Sequence, residues 1–100
     1  MLQLYNEKPI LISMKQNKSI FSVEFCNVKM KLKMCQFKLF HNYLMNISEK
    51  LTSDTTEVDL LLVRDNLNVT VSLDDFLELS NGVQSVMAKE FGFSRYRHQT

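Results

Sequence analysis

The metal-ligating or nucleophilic side chains of this 100-residue sequence are few: Cys26, Cys35, His41 and His98 are its only cysteines and histidines. Structural zinc sites bring cysteines in close pairs, about two to four residues apart. Here eight residues separate Cys26 from Cys35, and no second pair exists. Two partly buried thiols are the simpler reading. Cys35 is the candidate reactive thiol, because it stands at the predicted start of a helix with Lys33 and Lys38 nearby. A helix start and neighbouring cations activate a thiol. The only base within range, His41, is six positions on, which places it on another helix face. A nucleophile needs its base within hydrogen-bond reach, so a cysteine enzyme is not expected.

Asp74, Asp75 and Glu78 form the one cluster of acids. They fall in the first turns of a predicted helix, where acids complement the helix dipole. Gly82 and Gly92 are the only glycines, so there is no glycine-rich phosphate loop. No catalytic residue, metal site or cofactor is predicted. Lys29, Lys31, Lys33 and Lys38 remain as a candidate interaction surface. The first three project from one face of one strand, and a row of lysines can track a phosphate backbone. Sheet-face RNA binders also interleave aromatics for stacking, and Phe21, Val23 and Phe25 are predicted to point to the core instead. Lysine on an exposed strand also prevents unwanted edge pairing, which is the preferred reading.

These residues are positioned by a recurring pattern. Phe21, Val23 and Phe25 alternate with Ser22 and Glu24; Val28, Met30, Leu32 and Met34 alternate with lysines. A period of two on both sides of a short Asn-containing link predicts an antiparallel hairpin with one wet face. At Cys35 the period changes. Phe37, Phe40, Leu44, Ile47 and Leu51 make a helical stripe, widened by Leu39 and Tyr43. Thr52–Thr56 is a polar break. Val58, Leu60 and Leu62, then Leu67, Val69 and Val71, predict a second hairpin across the turn dipeptide Asp65-Asn66. Ser72-Leu73-Asp74-Asp75 resembles a capping box. It opens a helix whose buried stripe is Phe76, Leu77, Val83, Met87 and Phe91, with Asn81-Gly82 as a point of kinking or termination. Before all this, Pro9–Ile12 suggests a short edge strand, since proline suits a strand start or sheet edge, and Lys15–Lys18 reads as a polar loop.

A shift of 37 positions lays the first hairpin and helix on the second and places Cys35 on Ser72. The expectation is one α+β domain over residues 1–100. It has an N-terminal segment (1–19), a first ββα half (20–54), a second (55–91) and a tail (92–100). The two halves form a ββα–ββα pseudo-repeat with an antiparallel sheet of at least four strands and two helices on one face.

The chain resembles a small uncharacterised family of Bacteroidota proteins with a two-fold strand–strand–helix pattern. Phe21–Val28 with Met34-Cys35-Gln36-Phe37, and Val69–Phe76, carry the resemblance. It implies the fold and no assigned activity. Members of that family often carry a Cys-x-x-Cys before the first strand, implying metal or redox chemistry. Ser13–Ile20 holds no cysteine here, so that chemistry does not transfer.

Hydrophobic residues make up 45% of the chain and charged residues 23%, as in an ordinary globular domain. No apolar run approaches the roughly 18 residues of a membrane span, and no signal-peptide pattern is visible. A cytoplasmic location, without membrane contact, is the expectation. The net charge of +1 hides a basic first half and an acidic second half: residues 1–50 hold eight lysines and three acids, the rest four bases and eight acids. Such a dipole suits an oppositely charged partner or self-association. The expected role is a non-enzymatic protein-interaction or regulatory module, with a protein partner or a homodimer. The alternatives are weak nucleic-acid binding through the lysine face, and a thiol or metal role for Cys35.

Overall fold

The computed structural model describes residues 2–15, 20–26, 28–62 and 67–92. The elements run β1 (Leu2–Glu7), β2 (Ile10–Met14), β3 (Ile20–Phe25), β4 (Val28–Lys33), α1 (Met34–Ser48), β5 (Glu57–Leu62), β6 (Leu67–Ser72) and α2 (Leu73–Phe91). The class is α+β and the strand pairs are all antiparallel. β1 to β4 form a four-stranded sheet in chain order, and β5 and β6 form a separate two-stranded one.

This arrangement differs from the sequence reading in four places. First, Ile10–Met14 is not an edge strand, because it lies between β1 and β3. Pro9 sits in the preceding turn, so its missing N–H never enters the ladder. Second, the two hairpins do not share one sheet. The four-stranded sheet is completed by β1 and β2, which belong to neither half. Third, the helix N-caps are Lys33 and Ser72, 39 positions apart, so Cys35 does not correspond to Ser72. The register explains the offset: Phe25 faces Val28 across two residues, whereas Leu62 faces Leu67 across four. Fourth, α2 runs unbroken through Asn81-Gly82 and ends on Gly92, which takes the left-handed conformation (φ 66°) that glycine adopts freely. The expected Asp65-Asn66 turn, most of the Lys15–Lys18 loop and the tail beyond Gly92 lie outside the described residues.

Register puts Ile12, Val23 and Met30 side by side, and likewise Met14, Phe21 and Leu32. This face meets both helices. α2 lies along β1 and β2, α1 along β3 and β4, and the helices pack on each other. The Phe21 ring stacks on Phe37 of α1 at 4.6 Å between centroids and meets Phe91 of α2 at 5.8 Å. Both helices are thus seated on the sheet by one fully buried side chain. Burying a phenylalanine contributes roughly 1.5–3 kcal/mol, so this contact helps hold both helices on the sheet. Val58, Leu60 and Leu62 of β5 and Val71 of β6 close the same core cluster.

Candidate interaction groove

β4 is one of the two outer strands of the larger sheet, and among the described residues β3 is its only neighbour. Phe25 and Val28 flank a two-residue connection and so form a hydrogen-bonded pair. Cys26, the first connecting residue, has φ 47°, the positive value such turns require. Bonded and non-bonded pairs alternate along an antiparallel ladder. The backbone groups of Lys29, Lys31 and Lys33 therefore turn away from β3, toward the open edge. The Lys33 N–H confirms the direction, because it donates to Gln36 Oε1 of α1 at 2.8 Å. β5 offers a second edge: the Leu61 N–H points away from β6 and donates to the hydroxyl of Tyr43 at 2.9 Å.

Between these edges lies a groove of about 630 Å³. One wall is Lys29–Leu32 of β4, the floor is Gln36, Leu39, Phe40 and Tyr43 of α1, and the other wall is Leu61 and Leu62 of β5. Leu39 is 67% exposed and Leu61 52%, an unusual exposure for leucines that line one concave surface. Of these residues, the sequence reading placed Leu39 and Tyr43 in the helix core stripe. Leu39 sits two positions from Phe37, about 200° round the helix, and that spacing was the available signal that it faces elsewhere.

The lysines divide. Side chains of Lys29, Lys31 and Lys33 occupy the sheet face opposite the helices, beside Ser22 and Glu24. Among the described residues no aromatic side chain shares that face. Lys38 lies in the helix layer, its Nζ 4.7 Å from the centre of the Phe91 ring, and does not join the row.

The reactive types are spread apart. Cys35 is free and exposed on the first turn of α1. His41 is buried against α2 with its Nε2 3.0 Å from Gln84 Oε1, so it serves the helix packing. The Cys26 thiol donates to Asp75 at 3.5 Å. Burial, and then the Asp75 carboxylate, push that thiol upward from its ordinary pKa. Glu78 accepts from the Tyr5 hydroxyl at 3.1 Å; burial first, and then Glu78, raise that phenol. Asp75 and Glu78 thus tie α2 to the sheet side of the molecule. Among the described residues no three His, Cys, Asp or Glu side chains are grouped to hold a metal ion, and no helix is long and apolar enough to cross a membrane. Comparison with protein families, curated proteins and solved structures finds no match for this chain.

Proposed function

We propose that this chain is a non-enzymatic protein-interaction module and that its binding face is the groove between β4 and β5. The observation that carries the reading is that two exposed leucines, Leu39 and Leu61, line one apolar hollow between β4 and β5. Exposed apolar surface rimmed by charge marks association sites on otherwise polar proteins. Asp75, Glu78 and the Cys26 thiol, which would otherwise suggest chemistry, have structural partners instead. A photo-crosslinking amino acid placed at position 39 or 61 in the living host tests this. Discrete adducts are expected at both positions and not at Leu77, an exposed leucine on α2. Adducts of equal yield at all three positions, or none at 39 and 61, would sink the reading.

Phosphate binding on the opposite face is a second reading, favoured by the alignment of Lys29, Lys31 and Lys33. Fluorescence titration with single-stranded RNA at about 50 mM salt decides it, since counterion release makes such contacts strongest at low salt.

A further inference from the structure

We infer that the groove takes an amphipathic helix of a partner protein, one that carries two apolar residues at i+3 and i+4 between acids at i and i+7. The inference rests on the interaction reading above and adds the partner's shape and chemistry. The floor of the groove supplies the spacing. Gln36, Leu39, Phe40 and Tyr43 of α1 stand at i, i+3, i+4 and i+7, so they form one stripe along about 10 Å of the helix. The stripe is polar at both ends and apolar between them. A partner helix repeats the same spacing, so its apolar pair meets the centre while its polar residues meet the ends.

Both polar ends are donors. Gln36 Oε1 accepts the Lys33 N–H, and the Tyr43 hydroxyl oxygen accepts the Leu61 N–H. With those oxygens engaged, Gln36 has its amide N–H groups to offer and Tyr43 its O–H. Lys29 on the β4 wall adds a cation, and among the described residues that line the groove none is acidic. Carboxylates are the strongest complement to such a set of donors. Lys31 already has an interaction within the fold and is not called on.

The walls favour a helix over other occupants. The Lys33 and Leu61 N–H groups are taken, so an added strand would have to displace side chains of α1, whereas a helix bonds its own backbone internally. A small ligand is usually buried over about 70–90% of its surface, and a hollow whose two leucines stand more than half exposed does not enclose one. At about 630 Å³ the hollow takes a row of side chains but not two turns of whole helix, which fill roughly 1,000 Å³. The body of the partner helix therefore rests on the rim, against Leu39 and Leu61. A second copy is a poorer occupant. Its exposed α2 residues Asp74, Leu77 and Asn81 have the spacing, but Glu78, bonded to Tyr5, stands where the second apolar residue belongs.

Fluorescence anisotropy tests this with labelled alanine-rich peptides of about 18 residues, long enough to be helical. The first peptide carries Glu, Leu, Leu and Glu at i, i+3, i+4 and i+7. The second has both leucines moved to the opposite face, the third has Lys for both Glu, and the fourth has a central proline that breaks the helix. The first should bind at least about tenfold tighter than the other three, and it should shift the methyl signals of Leu39 and Leu61. Gln36→Glu keeps an acceptor for the Lys33 N–H, so α1 still starts there, but replaces the donor with a negative charge. It should weaken the first peptide about tenfold and favour the third, with the circular dichroism spectrum unchanged. Equal binding of the second or fourth peptide, indifference to Gln36→Glu, or no binding of any peptide up to about 1 mM overturns the inference. A dimer by light scattering that Leu77→Ser dissolves also overturns it and assigns the groove to a second copy. Crosslinks at positions 39 and 61 in the host without peptide binding remove the helix and leave the interaction reading; absence of both removes the two together.

Discussion

The ring of Tyr5 lies beside Gly82, with Cδ2 and Cε2 2.8 Å from where a β-carbon would stand. The contact pins the edge strand β1 to the middle of α2, and the Tyr5 hydroxyl reaches Glu78 one turn earlier. Alanine is about 1 kcal/mol better than glycine inside a helix. Here overpacking, about 1–3 kcal/mol, opposes that gain, because the ring is backed by Gly82 along its side and not at its tip. Gly82→Ala is expected to lower stability by about 1 kcal/mol in the natural chain. In a Tyr5→Ala background the same substitution should raise stability by up to about 1 kcal/mol. Urea midpoints of the four proteins measure the change of sign. A stabilising Gly82→Ala in the natural chain would show that the ring has another place to go.

Two leucines of α1 that the spacing pattern groups together should behave oppositely. Leu44 is fully buried and Leu39 is 67% exposed. Leu44→Ala leaves a cavity and should cost about 2–5 kcal/mol. Leu39→Ser should stay within about 0.5 kcal/mol of the natural chain, while removing apolar surface from the groove. Thermal or urea unfolding of both variants checks this. A large loss for Leu39→Ser would mean that the residue closes the core and is unavailable to a partner.

Much of the fold was legible because its strands and helices are strongly periodic. Phe21–Phe25, Val28–Leu32 and Val58–Leu62 keep one register and became the strands expected; the α1 stripe became a helix that stops at Ser48, short of Leu51, and leaves Leu39 exposed. β1 was missed because its alternation is interrupted: pairing with β2 shifts between Gln3 and Tyr5, so Leu4 and Tyr5 both fall against the core although adjacent. The division into two sheets was not legible either. Periodicity states that a strand has a wet and a dry face, not which strand is its neighbour. His41 was left out of the stripe for its polarity, although it lies four positions after Phe37; Gln84 supplies the hydrogen-bond partner that lets it be buried.

The two N-caps offer a matched pair of substitutions. Ser72 Oγ accepts the N–H of Asp75 at 3.1 Å, and Ser72→Ala should cost about 1 kcal/mol. Lys33 holds the same extended N-cap conformation (φ −70°, ψ 165°) at the start of α1. Its side chain has no acceptor, and its charge opposes the helix dipole. Lys33→Ser should therefore stabilise the protein by up to about 1 kcal/mol. Circular dichroism under urea measures both. If Lys33→Ser were destabilising, the lysine would be making a contact in the folded chain that outweighs its poor capping.

The groove itself was half-legible. The alternation placed Lys29, Lys31 and Lys33 on one strand face, and the register agrees. What spacing cannot give is the third dimension, in which α1 crosses beneath both strand edges and brings Gln36 and Tyr43 to their N–H groups. Lys38 shows the same limit: near Lys33 in sequence, it is drawn to Phe91 on the second helix, which begins at Leu73.

Cys26 gives the fold a dependence on alkaline pH. Burial and the Asp75 carboxylate raise its pKa, so on raising the pH the unfolded chain loses this proton before the folded one does. Its contribution to stability is therefore complete below the ordinary thiol range and falls as pH climbs from there through the raised, folded-state value. In a Cys35→Ser background, the rate of alkylation of Cys26 should reach its midpoint above the ordinary thiol range. Asp75→Asn should bring that midpoint down part of the way, because burial remains. Urea midpoints should drop between about pH 7 and pH 10, and Cys26→Ala should flatten the earlier part of that drop. Tyr5, whose phenol is raised by its own burial and by Glu78, adds a separate loss that begins near the ordinary phenol range of about pH 10 and should survive the substitution. An alkylation midpoint for Cys26 at or below the ordinary thiol value, unchanged by Asp75→Asn, would show that the thiol does not donate to Asp75 in solution.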